Sequence, residues 1–295
     1  MNAVTEPAQW AEQPVDAPVA DDVEDDAPRT LLGMSISTWL RIMLPLLMGI
    51  ALIVGWEVAV RVAEIPPYVI PGPIVIAQTL IRDWGVLSTS LLATLHVAGL
   101  ALALALVMGV GIAIVFVQSK FVEMTFFPYA VILQVTPLAA VAPLIIMWVD
   151  DVRTGLLICA WIIPFFPILS TTTVGLNSAD HNLVNLFHIY RASRWQTLIR
   201  LKLPSAMPYF LAGLRISGGL CLVGSVVAEF VAGSGGKGSG LAYLILESGY
   251  QLKTPRMFAA LVLISVSGVT VFLITTAISW LCLHHWHESS VRKEN

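Results

Sequence analysis

Three groups of residues in this sequence are of the right type for chemistry, and each suggests a different kind. GSGGKG at 233–238 has the G-x-G-x-x-G spacing that cradles a dinucleotide pyrophosphate, and its lysine invites comparison with a phosphate-binding loop. His284, His285 and His287 stand beside Glu288 and offer imidazole and carboxylate to a metal. Arg215 and Glu229 are ionisable residues in or at the edge of one apolar run, where charge is costly and is kept for pathways, relays or partners.

The first two lose their meaning in context. A glycine fingerprint acts only between a strand and a helix, and this one follows a long apolar run. A Walker A loop would need glycine at Val231 and Ser or Thr at Gly238. The stretch reads as a flexible turn, and no cofactor is expected. The histidines flank Trp286 at the end of an apolar run, the composition of an interfacial anchor, so no metal is expected either. His96, near the start of another run, reads as a helix-contact residue. Cys159, Cys221 and Cys282 are scattered through apolar runs and suggest neither disulfides nor a metal cluster. No Ser-His-Asp set, close carboxylate pair or Cys/His cluster has catalytic spacing, so no catalytic residue is expected.

Arg215 and Glu229 survive as candidates. They are fourteen positions apart in sequence, about 21 Å along a helix, so they do not pair with each other. Arg215 is expected toward one end of its span, with its guanidinium reaching the interface. For Glu229 two readings stay open: lining a pathway, or packing a helix end.

The elements that position these residues follow from composition. Of 295 residues, 57% are hydrophobic and 12% charged, with a mean hydropathy of +0.82. Soluble domains are about 25% charged, so a polytopic membrane protein is expected. Six runs reach the about 20 apolar residues that cross a bilayer: 42–60, 91–117, 124–149, 154–179, 205–228 and 257–283. The fold class is therefore all-α, with six transmembrane helices. Residues 1–38 are acidic, proline-bearing and without hydrophobic periodicity, as in a disordered tail. That start is not a signal peptide, and the first span is expected to remain as an anchor. IPPYVIPGP at 65–73 cannot continue a helix, and 74–87 has the spacing of a short interfacial one. Prolines 128, 137, 143, 164 and 167 fall in the third and fourth spans. In a membrane the carbonyls that prolines release need a neighbour or a water-filled cavity.

Six spans put both termini on one side. If that side is cytoplasmic, the inner segments hold Arg29, Arg41, Lys120, Arg191, Arg194, Arg200, Lys202, Arg292 and Lys293. The outer ones then hold Arg61, Arg82, Arg153, Lys237, Lys253 and Arg256. Basic residues concentrate in cytoplasmic loops, so both termini are expected there, and the loop at 177–204 with them.

That loop is structured. Asp180 is placed to cap a helix over HNLVNLFHIY, with Leu183, Leu186, Phe187 and Tyr190 on one face. Ser193 and Gln196 have the spacing of a capping box and start a second helix. Pro204 and Pro208 bracket the start of the fifth span. Such a surface suits either a docking partner or anionic lipid, and both stay open on these grounds.

The stretch RASRWQTLIRLKLPSAMPYFLAGLRISGGLCLVGSVVAEF at 191–230, followed by GSGLAYLILESG, resembles the permease subunits of binding-protein-dependent ABC importers. The resemblance is to the nitrate, sulfonate and taurine branch. VTPLAAVAPLIIMWV at 135–149 and PGPIVIAQTL at 71–80 are similar to that branch too, and the likeness covers about residues 65–283.

The resemblance implies a type I importer permease fold. It divides the chain into the tail at 1–38, a first helix and interfacial segment at 39–90, a five-helix permease core at 91–284 with its coupling loop at 177–204, and a cytoplasmic end at 285–295. It implies a non-enzymatic subunit in a bacterial inner membrane, carrying a small anionic or heterocyclic solute. Implied partners are a cytoplasmic ATPase dimer that hydrolyses the ATP, a second permease subunit, a periplasmic or lipid-anchored solute-binding protein and the lipid bilayer, with no nucleic acid. The coupling loop falls on Leu183, Asn185, Leu186, Phe187, Tyr190, Arg191, Ala192, Ser193, Arg194, Trp195, Leu203 and Pro204. Arg215, Glu229, Pro137 and Met147 are the candidates for pathway or gate. The alternative is a stand-alone secondary transporter or channel, which would need more ionisable residues in its spans.

One departure carries a structural expectation. Asn185, Leu186 and Phe187 stand at the family's E-A-A positions, and Arg191 stands at its glycine. A glycine there serves a bend with positive φ, costly for other residues. Arg191 is therefore expected either to force a more continuous helix or to meet an acidic residue on the ATPase.

Overall fold

Uniformly apolar runs, with no water to satisfy their backbone, have little choice but to be helical. The computed structural model bears this out over the residues it describes, 30–31, 34–232 and 239–284. The acidic tail up to residue 29, the GSGGKG turn, and His285, His287 and Glu288 lie outside the described residues. Among the described residues no group of His, Cys, Asp and Glu could hold a metal.

The chain divides into two units, Met1–Val54 and Gly55–Asn295. In the first, Thr30–Leu31 pairs antiparallel with Met34–Ser35 and helix α1 (Ile36–Val62) begins. The last turns of α1 belong to the second unit. There follow α2 (Pro73–Arg82), α3 (Trp84–Gln118), α4 (Lys120–Val135), α5 (Leu138–Trp148) and α6 (Val152–Asn177). After these come α7 (His181–Ile189), α8 (Arg194–Thr197), a π-helical turn at Leu198–Lys202, α9 (Leu203–Ala232), α10 (Leu241–Tyr250) and α11 (Thr254–His284).

Five of these helices are long and apolar enough to cross a membrane. The sixth expected span, 124–149, differs from a single rod. It is α4 and α5, bent by 101° at a break over Thr136 and Pro137. The pair makes a sixth crossing if it traverses as one. Pro137 caps α5 with φ −66° and ψ 108°, and the Thr136 hydroxyl bonds back to Ile132 O at 2.7 Å. A proline biases the residue before it toward extended backbone, and Thr136 is extended at ψ 124°. The second span also starts earlier than its apolar run, at Trp84, so the interfacial helix before it stops at Arg82.

The centre of the fold is the packing of α6 against α9, which small residues make close. Pro164 cannot donate to Ala160 O, and Gly224 comes down onto that carbonyl, where a Cβ would lie 2.6 Å away. Gly175 meets α9 at Ala206 and Tyr209, where a Cβ would lie 3.0 and 2.7 Å from their atoms. Ser217 Oγ donates to Pro164 O at 2.8 Å. Small residues that let helix backbones approach are the usual means of association in lipid. Phe116, Phe165, Leu169, Leu176, Leu198 and Ala206 form a core beside the 177–204 loop. Ile76, Leu87, Leu241, Leu244, Ala259 and Ala260 form another around α2 and α10.

Candidate functional site

The 177–204 loop is held by local hydrogen bonds at each turn. Asp180 Oδ1 accepts from the Asn182 backbone at 2.8 Å and starts α7. Val184 and Phe187 are half-buried against the body, while Leu183, Leu186, Ile189 and Tyr190 are exposed. The short capped helix thus holds an apolar face outward, of the kind that suits a partner or a membrane surface.

The chain leaves α7 through Arg191, whose φ is +51°. The Arg191 backbone donates to His188 O at 3.0 Å, and that of Ala192 donates to Phe187 O at 2.9 Å. These two bonds define a Schellman turn, in which the left-handed position is usually glycine. The continuous helix expected from Arg191 is therefore not formed. The arginine takes up the glycine conformation, and the two bonds that satisfy the helix-end carbonyls outweigh a strain of about 1–2 kcal/mol.

Ser193 then starts α8 with a complete capping box. The Gln196 backbone donates to Ser193 Oγ at 3.2 Å, and the Ser193 backbone to Gln196 Oε1 at 2.8 Å. Arg194 and Trp195 follow on the exposed surface. Between α8 and α9 there is no break. Pro204 has no N–H for Arg200 O and its ring crowds that carbonyl. The helix widens there to a π turn, in which the Leu203 backbone reaches Leu198 O. Leu203-Pro204 thus begins the fifth span without interrupting the rod, which runs from Arg194 to Ala232 over 39 residues. Proline in the sequence signalled a boundary. Its actual effect is one turn of altered pitch.

Along that rod, Tyr209, Ala212, Arg215, Ile216, Val223 and Phe230 are exposed, a stripe at helical spacing. Gly219 lies in the same stripe, with nothing within 4 Å of a Cβ built on it. Arg215 lies twelve residues from Leu203, the first residue of α9, about 18 Å along the helix. No hydrogen bond or ion pair to its side chain appears among the described residues.

Glu229 is placed differently. It is 4% exposed, and Oε2 accepts from Thr94 Oγ1 at 3.1 Å and from the Ala242 backbone at 3.0 Å. Thr94 Oγ1 in turn accepts from the Leu241 backbone at 2.9 Å. The carboxyl group thus serves the first amides of α10, where a helix favours negative charge. Gly240 precedes that helix without a capping side chain of its own, and a Cβ there would strike the Glu229 carboxyl group. Of the two readings of Glu229, the structure favours the helix end: the residue clasps α3, α9 and α10 together, away from the exposed stripe.

Glu57 repeats the arrangement. Its Oε2 accepts from the Ile74 backbone at 3.2 Å at the start of α2, and Arg61 holds its Oε1 at 2.6 Å. Gly72 precedes α2, also without a side-chain cap, and a Cβ there would lie 2.6 Å from Glu57 Oε2. In the sequence Glu57 is the one acidic residue within the apolar run 42–60. A glycine just before a short amphipathic helix was the signal that a cap had to come from elsewhere.

Pro137 caps α5 and Met147 lies on it, both exposed, while Leu138 and Ala142 of that helix pack with Ala228. Arg215 is thirteen positions from Ala228 along α9, about 20 Å away. The four candidates for pathway or gate are therefore not gathered at one point.

Residues 101–279 match the family model described as binding-protein-dependent transport system inner membrane component. The chain is 35% identical over 243 residues to the riboflavin transport system permease protein RibX of Chloroflexus aurantiacus, covering 81% of this chain and 88% of that one. It is 31% identical to the formylaminopyrimidine transport permease protein ThiX of Halalkalibacterium halodurans, covering 77% and 90%. It is 30% identical to the putative aliphatic sulfonates transport permease protein SsuC of Bacillus subtilis, covering 76% and 80%. A solved amino acid ABC transporter with histidines has the same fold, with a TM-score of 0.57 at 18% identity over 70% of this chain and 97% of that one.

Proposed function

This chain belongs to the family of inner membrane components of binding-protein-dependent transport systems and is a permease subunit of an ABC importer for a small solute; from that premise we propose that the 177–204 loop couples it to a separate cytoplasmic ATPase dimer. The observation that carries the reading is the unbroken rod from Arg194 to Ala232. It begins in the capped docking surface and passes the exposed stripe with Arg215. It ends at the Glu229 clasp on the opposite side. Closure of the ATPases would tilt α7 and α8, and a rod without a hinge passes that tilt on. Transport then follows from a shift between inward- and outward-facing populations.

In this reading both termini and the loop are cytoplasmic, the membrane is a bacterial inner membrane, and a solute-binding protein delivers solute at the α10 side. Arg215, an exposed cation within a helix long and apolar enough to cross a membrane, supports a face covered by a second permease subunit or by the solute pathway, because a lone charge against lipid is costly. The solute is proposed to be a small anion or heterocycle. The names of the relatives support this, with riboflavin and formylaminopyrimidine on one side and aliphatic sulfonates on the other.

The test is reconstitution of the full chain in liposomes with its ATPase and binding protein. Uptake should need ATP and should be lost with Leu186→Asp or Ile189→Asp while the protein stays folded. Full uptake by the chain alone would establish the stand-alone transporter or channel instead.

A further inference from the structure

Two cavities adjoin the π turn. The first, about 270 Å³, is lined by Gln118 at the end of α3, by His188 of α7, and by Arg194, Thr197 and Lys202. Neither Arg194 nor Lys202 makes an ion pair among the described residues. The acid that acts on Lys202, Glu123, is engaged by Lys120 at 3.0 Å. Arg194, Lys202 with only a share of the Glu123 carboxylate, an imidazole, an amide and a hydroxyl thus converge where α3 ends and α9 begins.

This concavity is not the surface offered to a docking partner. It lies beside Val184 and His188, a different side of α7 from the outward Leu186 and Ile189. It is smaller than the about 300 Å³ at which pockets begin to hold drug-sized ligands. A single oxyanionic group fits that size and charge.

The second cavity, about 350 Å³, is lined by Val110, Ile199, Leu203, Met207 and Phe210. Val110 and Val117, which line the second and first cavities respectively, are seven residues apart on one face of α3. The apolar cavity therefore lies about 10 Å deeper in the membrane than the basic one. Leu198 and Lys202 wall the first, and Ile199 and Leu203 wall the second, so the π turn is their common boundary.

We propose that this pair of cavities is a binding site for an anionic phospholipid, with its phosphate between Arg194 and Lys202 and an acyl chain along Met207 and Phe210. Basic pockets between spanning helices at the membrane surface hold anionic headgroups. The apolar cavity at the matching depth is what separates a lipid from a soluble phosphate, which would have no use for it. A lipid seated here props α8 and the π turn against α3.

The experiment uses the purified full chain and native mass spectrometry with phosphatidylglycerol, phosphatidylcholine and inorganic phosphate as probes. One phosphatidylglycerol should remain bound per chain. Its affinity should fall about fivefold with Arg194→Gln or Lys202→Gln and about thirtyfold with both. Arg200→Gln, which lines neither cavity, should leave it unchanged. On the unaltered chain, phosphatidylglycerol with a photoreactive acyl chain should label the peptide holding Met207 and Phe210, which tests the site even if the double variant does not fold. Equal retention of phosphatidylcholine, labelling elsewhere, or insensitivity to the double substitution would overturn the proposal. Displacement by millimolar inorganic phosphate would overturn the lipid in favour of a free oxyanion. Cross-linking of Arg194 or Lys202 to an acidic residue of the ATPase would overturn it in favour of a protein partner.

Discussion

The Thr94 hydroxyl donates to Glu229 Oε2 at 3.1 Å across 135 residues of chain, and the same oxygen of Thr94 accepts from the Leu241 backbone at 2.9 Å. One hydroxyl and one carboxyl group thus fix the start of α10 to two spanning helices. Each is the other's partner, so neither can be removed without leaving a buried polar group unsatisfied.

Replacing Glu229 with Ala should therefore destabilise the protein by about 1–3 kcal/mol. Thr94→Val should cost a similar amount, and the double variant less than the sum. Gly240→Ala should destabilise as well, because its Cβ meets the carboxyl group. Thermal unfolding in detergent of the three variants and the double one checks this; additive losses would mean that the clasp does not act as a unit.

Arg191→Gly should stabilise the isolated subunit by about 1 kcal/mol, the strain of a left-handed arginine. The unfolding midpoint should rise. Binding of the ATPase should weaken at low salt only if the guanidinium meets an acid there, so the two measurements separate conformation from contact.

Pro204→Ala restores a donor to Arg200 O and removes the cause of the π turn. The turn should relax to α-helix, rotating α8 against α9 by about 100°, one residue's worth at 3.6 per turn. ATP hydrolysis should continue while solute uptake per ATP falls several-fold. Coupled transport at the parent ratio would show that the turn's pitch is irrelevant to coupling.

Asp83 joins α2, α3 and α11, accepting from Arg256 at 2.7 Å and Arg82 at 3.3 Å. The Arg256 guanidinium holds its carboxyl group below the usual carboxylate range, against the opposing effect of burial. A folded value below the unfolded one gives stability that is fully present above the ordinary aspartate range, about pH 4, and lost as pH falls through the folded value. Arg256→Gln should lower the unfolding midpoint at pH 7 and flatten the acid limb of the stability profile. An unchanged acid limb would assign it to other carboxylates.

Cysteine at position 215, in a chain with Cys159, Cys221 and Cys282 replaced by Ala or Ser, should react with a charged, water-soluble thiol reagent and be slowed by transported solute. Reaction only with a lipid-soluble reagent would place the stripe against hydrocarbon and remove Arg215 from the pathway.

What could be read in the sequence was what is local. The Asp180 cap and the Ser193–Gln196 capping box involve residues two or three apart, so residue type and spacing specify them. The continuous-helix alternative for Arg191 fails because strain is visible in one residue, whereas the two Schellman bonds that offset it belong to four. The break at Thr136-Pro137 was hidden by unbroken hydropathy, since a lipid-soluble run scores alike whether straight or bent. The α10 cap was beyond reach, because its donors and acceptors come from three segments spread over 147 residues.

Both borrowed caps have a consequence for how the chain is made. Glu57 is synthesised before Pro73–Arg82, and Thr94 and Glu229 before Leu241–Tyr250. Helices of ten residues are marginal by themselves in water, yet each of these emerges from the ribosome to find its acceptor already built. Biosynthesis from the N-terminus therefore always supplies the clasp before the helix it holds. A circular permutant that reversed that order would have to fold α10 while its amides still had only water to bond.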